Sequence, residues 1–136
     1  MANPDAYVIS ALRYASSVTR MPYEVLYALA KAESDFNPLA KSKAGAMGLM
    51  QIMPIVVKNY DVKDPFNPSE NAAAGAKLFK SYFKQVNRDW IKAIAAYNWE
   101  LTNIKNNPHF RDWPLETRNH VRKVMGYARN YFAVFI

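Results

Sequence analysis

Apolar residues recur at helical spacing along nearly all of the 136-residue chain, and no convincing run alternates as a strand would. Pro, Asn and Asp punctuate the segment starts. Together these features predict an all-α or nearly all-α domain. With 51% hydrophobic and 14% aromatic residues, the chain carries enough apolar material for one core, so a single domain over residues 1–136 is expected. No linker, internal repeat or low-complexity tract interrupts it.

Asn3-Pro4 reads as an N-cap followed by Pro at the first helical position. Val8, Leu12, Ala15 and Val18 then mark the inner face of a first helix. Pro22 opens a second, with Val25, Leu26, Leu29 and Ala32 inward. It runs out near Asp35, because Pro38 disfavours helix in the residue before it. Residues 37–47 read as a loop. A third helix is expected over Gly48 to Asn59, with Pro54 marking either a late start or a kink. Ser69 is the expected cap of a long helix to Val86, and Asp89 that of a helix from Trp90 to Asn98. A loop follows around Asn106-Asn107-Pro108. Trp113-Pro114 opens the last helix, with Val121, Val124, Met125, Ala128 and Phe132 in phase. There is room for a very small β element in residues 37–47 or 59–66.

The net charge of +7 favours an anionic partner without choosing among nucleic acid, lipid and acidic polymer. Arg13, Arg20, Lys31, Lys41, Lys43, Lys58, Lys77, Lys80 and Lys84 are scattered, as on a solvated face. No helix carries the clustered basic face of a nucleic-acid binder, so no nucleic-acid partner is expected. No run is long enough to span a bilayer. Tyr7 to Leu12 is too short an apolar core for a signal peptide, and Asp5 and Arg13 bracket it. A mature form, an excised domain or export by another route is expected. The apolar end, from Tyr131 to Ile136, points to truncation or to a tail packed on the domain. There is no cysteine, hence no disulfide and no thiolate metal site. His109 and His120 lack partners at ligand spacing. A surface or capping role is expected for both, and no metal.

Ala32-Glu33-Ser34-Asp35-Phe36-Asn37-Pro38 puts a carboxyl near the end of an apolar helix. A lone Glu there would be a solvated helix end. At about 100° per residue, however, Glu33 shares a stripe with Leu26, Leu29 and Ala30. Burial disfavours the anion, and a carboxyl held neutral near pH 7 is what a general acid requires. Asp35 lies about 200° away around the helix and is no partner for it. Common glycosidases need two carboxylates, about 5–9.5 Å apart; this segment supplies one. In Gly45-Ala46-Met47-Gly48-Leu49-Met50-Gln51-Ile52-Met53-Pro54, small residues allow close approach to a ligand. Gln51 can donate and accept there, while Met50 reads as core. Ala95-Ala96-Tyr97-Asn98 ends an apolar helix on two hydrogen-bonding side chains.

The order Glu-Ser, Gly-Leu-Met-Gln, Ala-Tyr-Asn resembles the soluble lytic transglycosylases, relatives of goose-type lysozyme. Phe36, Pro38, Ala40 and Ser42 extend the match, as do Asp64-Pro65, the stretch from Asn67 to Gly75, and Pro114-Leu115-Glu116-Thr117. The likeness covers residues 22–127. It implies a lysozyme-like helical domain with a substrate cleft. It also implies cleavage of the β-1,4 bond between N-acetylmuramic acid and N-acetylglucosamine in peptidoglycan, leaving a 1,6-anhydro end. Glu33 would be the single acid and base, and the sugar's own C6 hydroxyl the nucleophile. Ser42, Gln51 and Met53 would contact the glycan. Tyr97 would orient Glu33, Asn98 would shape the same subsite, and Glu116 would support it or a distal subsite, unless it is tied up in an ion pair with Arg118. No cofactor is implied. The implied setting is the bacterial envelope, reached as a virion-associated protein or excised domain. A monomeric domain, part of a larger chain or assembly, is expected. Trp99-Glu100 departs from the family, which has Ala-Gly after Ala-Tyr-Asn. If Glu100 faces the cleft, a hydrolytic lysozyme on the same fold becomes the alternative; a non-catalytic wall-binding virion module is another.

Overall fold

A computed structural model describes residues 3–133, which divide into two compact units at Leu78/Phe79. Secondary structure among the described residues is helical, apart from isolated bridges pairing Lys41 with Met47 and Met47 with Ile52. The expected β element is thus reduced to bridges in the loop after the second helix.

In the first unit, α1 spans Ala6–Thr19. Its cap is Asp5, whose carboxylate accepts the Val8 amide at 2.9 Å, so the start expected at Asn3-Pro4 lies too early. The carboxylate satisfies an N–H that the helix itself leaves unpaired. Val8, Leu12 and Ala15 are buried as expected, but Val18 is 46% exposed and Thr19 takes the inner position. Val18 lies about 80° off the stripe. Thr19 tolerates burial because its hydroxyl donates to the Ala15 carbonyl at 2.7 Å. α1 packs on α2, Tyr23–Ser34, where Val25, Leu26 and Leu29 are buried and Ala32 is half-buried.

α2 stops before Pro38 can act on it. Asp35 is left-handed at φ 50° and its N–H bonds the Lys31 carbonyl. Phe36 is left-handed too, at φ 65°, with its buried ring against Tyr27 at 4.8 Å. α3 starts late, as Pro54–Asn59, with Pro54 at its first position. α4, Pro68–Gln85, is capped by Asn67 and not by Ser69: the Glu70 amide donates to Asn67 Oδ1 at 3.0 Å. Pro68 already occupies the first helical position, so the cap must precede it.

The second unit begins within α4 at Phe79. α5 spans Trp90–Trp99, capped by Asp89 through the Lys92 amide at 3.0 Å. It packs on α6, Leu101–Asn106, and on α7, Leu115–Tyr127. α6 occupies a stretch expected to lead directly into a loop; a 3-10 turn, Phe110–Asp112, follows it. The last expected helix is broken at Ala128, and α8, Arg129–Phe132, continues its buried stripe. Trp90 is the centre of an aromatic cluster. It stacks on Phe83 at 4.0 Å and meets the edges of Tyr131 and Phe132 at 6.1 and 5.8 Å. The apolar tail therefore packs as far as it is described; residues 134–136 lie outside the described residues. No described helix is long and apolar enough to cross a membrane.

His120 is not the surface or capping residue expected. It is 7% exposed, in phase with Thr117, Val121 and Val124 on the inner stripe of α7. Its Nε2 has no hydrogen-bond partner among the described residues. Burial pushes its pKa down to about 4, with Lys123 adding repulsion. The unfolded chain then binds a proton that the folded chain refuses between pH 6.5 and about 4. Stability from this group is present above pH 6.5 and declines as pH falls to about 4, by about 3 kcal/mol in all. Chemical denaturation at pH 7 and pH 4 is expected to show this loss, and His120→Leu should shrink it. An unchanged pH slope in that variant would assign the acid sensitivity to the carboxylates.

Candidate active site

Glu33 stands in the last turn of α2, one residue before its end, and is half-buried, not fully buried as its stripe suggested. The stripe is right, but the helix ends there and one side opens. The neighbouring Ser34 donates its hydroxyl to the Leu49 carbonyl at 2.7 Å, tying this helix end to the loop that carries the second motif.

That loop is built around one buried side chain absent from the expected site. Asn71, on α4, is fully buried. Its Oδ1 accepts the Met50 amide at 2.7 Å, and its Nδ2 donates to the Met47 and Pro65 carbonyls, both at 2.8 Å. Gly48 lies against it at φ 77°; a Cβ there would sit 2.3 Å from Asn71 Nδ2 and 2.5 Å from the Pro65 carbonyl oxygen. The glycine is therefore required both for its conformation and for space. In the sequence Asn71 is an amide directly before a run of small residues, from Ala72 to Ala76, that α4 buries.

The remaining residues of this half hang on the same loop. Gln51, at φ 52°, donates both Nε2 hydrogens, to Ala40 and Gly48 carbonyls at 3.1 and 2.9 Å. Its donors hold the backbone and only Oε1 is left for a ligand, which narrows the expected role in recognition. Ser42 is exposed, and its Oγ accepts the Ala46 amide at 2.9 Å, leaving the hydroxyl proton to donate. Met53 is 38% exposed, immediately before α3, while Met50 is core. Glu33, Ser42, Gln51 and Met53 are thus brought onto one hydrogen-bonded frame within the first unit.

The second unit holds its own set. Tyr97 is half-buried near the end of α5, with its ring edge-on to Phe79 at 6.2 Å. Asn98 Oδ1 accepts from the buried Thr117 hydroxyl at 2.8 Å, leaving Nδ2 as its donor. Thr117 is a positioning residue that the motif reading did not single out. Glu116 is exposed and not in the ion pair with Arg118 considered above: Arg118 Nε donates to the Trp113 carbonyl at 3.1 Å. Trp113 is itself anchored by its indole N–H on the Asn107 carbonyl at 2.6 Å.

Glu100 ends α5 and does not extend it, so it is not one helical turn beyond Tyr97. It is exposed at φ 72°, ψ 146°, a region that favours glycine. The departure from the family's Gly is therefore a strained turn bearing a solvated carboxylate. Glu100→Gly is expected to raise stability by about 1 kcal/mol, strain relief exceeding the entropy cost of glycine. Thermal unfolding measures this, and a lower melting temperature would show the strain to be absent.

A family model for the transglycosylase SLT domain matches residues 10–113, most of both units. The chain belongs to this family. Its SLT domain is 32% identical over 147 residues to a membrane-bound lytic murein transglycosylase F of Saccharophagus degradans, covering 90% of this chain and 29% of that protein. It is also 32% identical over 111 residues to a transglycosylase of Enterobacteria phage PRD1, covering 82% of this chain and 39% of the phage protein. Among solved structures, the 70-kDa soluble lytic transglycosylase of Escherichia coli matches with a TM-score of 0.76 at 27% identity, over 93% of this chain and 24% of that one. This match carries the lysozyme-like fold expected of the SLT domain. The chain spans only about a quarter to two-fifths of the length of these relatives.

Proposed function

We propose that this SLT domain is a peptidoglycan lytic transglycosylase with Glu33 as its single acid and base. The observation that carries the reading is family membership over most of the chain, together with a carboxyl at the end of α2 braced by the Ser34–Leu49 bond. Glu33 gives its proton to the glycosidic oxygen of N-acetylglucosamine as the C1–O bond to N-acetylmuramic acid breaks. The C6 hydroxyl of that muramic acid then bonds to C1, and its proton returns to Glu33. The 1,6-anhydro ring forms and the enzyme ends as it began. One carboxyl suffices because the nucleophile is tethered: effective molarities of about 10⁵ M or more replace a base-held water.

Ser42 donates to the glycan, Gln51 Oε1 accepts from it, and Met53 offers an apolar wall. In the second unit, Tyr97 and Asn98 Nδ2 serve the glycan, and Glu116 contributes to a distal subsite. The domain acts as a monomer on glycan strands in the bacterial envelope; relatives named as a membrane-bound lytic murein transglycosylase and a phage transglycosylase support the envelope setting. Digestion of purified peptidoglycan followed by mass analysis tests the reading. Products lighter by one water than reducing-end muropeptides are expected. Reducing ends alone would replace it with hydrolysis.

A further inference from the structure

A cavity of about 300 Å³ opens on the first unit between α1, the connection after α3, and α4. Its walls include none of Glu33, Ser42, Gln51 or Met53. Tyr14 from α1 and Tyr60 from the connection supply aromatic surface, Ala73 and Ala74 the floor, and Lys77 an ammonium. The volume is at the low end for small-molecule sites, about 300–1,000 Å³.

The cavity is preformed. Glu70 Oε1 accepts the backbone amides of Lys63 and Asp64 at 2.9 and 3.2 Å, which fixes the connection against α4. This leaves Glu70 Oε2 as an acceptor. Asp61 is paired with the Lys63 ammonium at 3.2 Å, but both are exposed, so that pair is weak. Lys77 is exposed and has no ion pair among the described residues. Tyr14 is 52% exposed, and Tyr7 and Val18 continue its apolar stripe along α1 at 81% and 46%.

We propose that this cavity is a second, non-catalytic site for an acidic amino-sugar unit of the wall glycan. The proposal rests on the polymer named above. Aromatic walls suit the C–H face of a pyranose, carboxylate acceptors suit its hydroxyls, and an unpaired ammonium suits a lactyl or stem carboxylate. A polymer repeating that unit can occupy the second site while another stretch lies at Glu33, and such linkage multiplies affinity without new contacts at the catalytic residues.

The test uses three readouts. In a Glu33→Gln background, Tyr14→Ala/Tyr60→Ala and Lys77→Glu are each expected to weaken co-sedimentation with peptidoglycan sacculi about tenfold, with melting temperatures unchanged. In the active background, kcat/KM on a soluble tetrasaccharide muropeptide should stay the same. Titration of a disaccharide-tetrapeptide should move the amide NMR signals of Val62, Ala74 and Lys77. Unchanged sedimentation of the tyrosine variant, or unmoved signals at these residues, overturns the site. Shifts with the free stem peptide but not the disaccharide-peptide would make it a peptide site and overturn the sugar assignment. Indifference to Lys77→Glu overturns recognition of the acid. Because the NMR titration needs no turnover, failure of wall cleavage would count against the catalytic reading while the cavity is still judged on its own signals.

Discussion

Glu33→Gln is expected to slow peptidoglycan cleavage by about 10²–10⁴-fold, the usual worth of a positioned general acid. The amide keeps the shape of the side chain but has no acidic proton to give and no basic form to take one back. Both halves of the proposed cycle fail together. Because Glu33 is half-buried and the substitution nearly isosteric, the melting temperature should move little. Glu33→Asp keeps the acid but draws it back by one methylene. Misplacement of about 1 Å costs about 10²-fold, so this variant should also be crippled. Release of soluble muropeptides, followed under single-turnover conditions, reads both. A Gln variant retaining more than a tenth of the rate would remove Glu33 from the chemistry.

The largest stability effect is expected at Gly48. An alanine there is strained at φ 77° and its Cβ falls 2.3 Å from Asn71 Nδ2. Backbone strain of about 1–3 kcal/mol adds to the loss of buried hydrogen bonds, each group left unpaired costing about 1–3 kcal/mol. A total of about 4 kcal/mol follows, a large share of a typical domain's stability. Asn71→Ala should cost nearly as much, because it leaves the Met50 amide and two carbonyls without their partner. The two substitutions act on one contact, so the double variant should cost clearly less than their sum. Urea unfolding of the three variants measures this, and strict additivity would show that Gly48 and Asn71 are not coupled. Loss of this brace should also lower activity, since it holds the loop carrying Gln51.

Most helices follow from local chemistry. Pro22, Pro54 and Asp89 mark starts that the structure keeps, because a fixed φ or a capping carboxylate acts within one turn of itself. Misses arose where two local signals competed: Asp5 over Asn3, and Asn67 over Ser69. α6 was hidden because six residues carry too little periodicity to read. Val18 was expected inside and His120 outside, yet helical phase puts Val18 about 80° off its stripe and His120 on the buried one.

The opening reading of a helical domain with Glu33 on the inner side of its second helix was available from spacing alone. Periodicity determines which residues can share a face, and motif order identifies the family. Tertiary structure decided the rest: that Glu33 is half-open at a helix end, that Gln51 spends its donors on the backbone, and that Asn71 and Thr117 hold the loop and Asn98. Those are hydrogen bonds between residues up to 24 apart in the chain. No local pattern encodes such partners, because a buried amide or hydroxyl is satisfied only by whatever polar group folding brings to it.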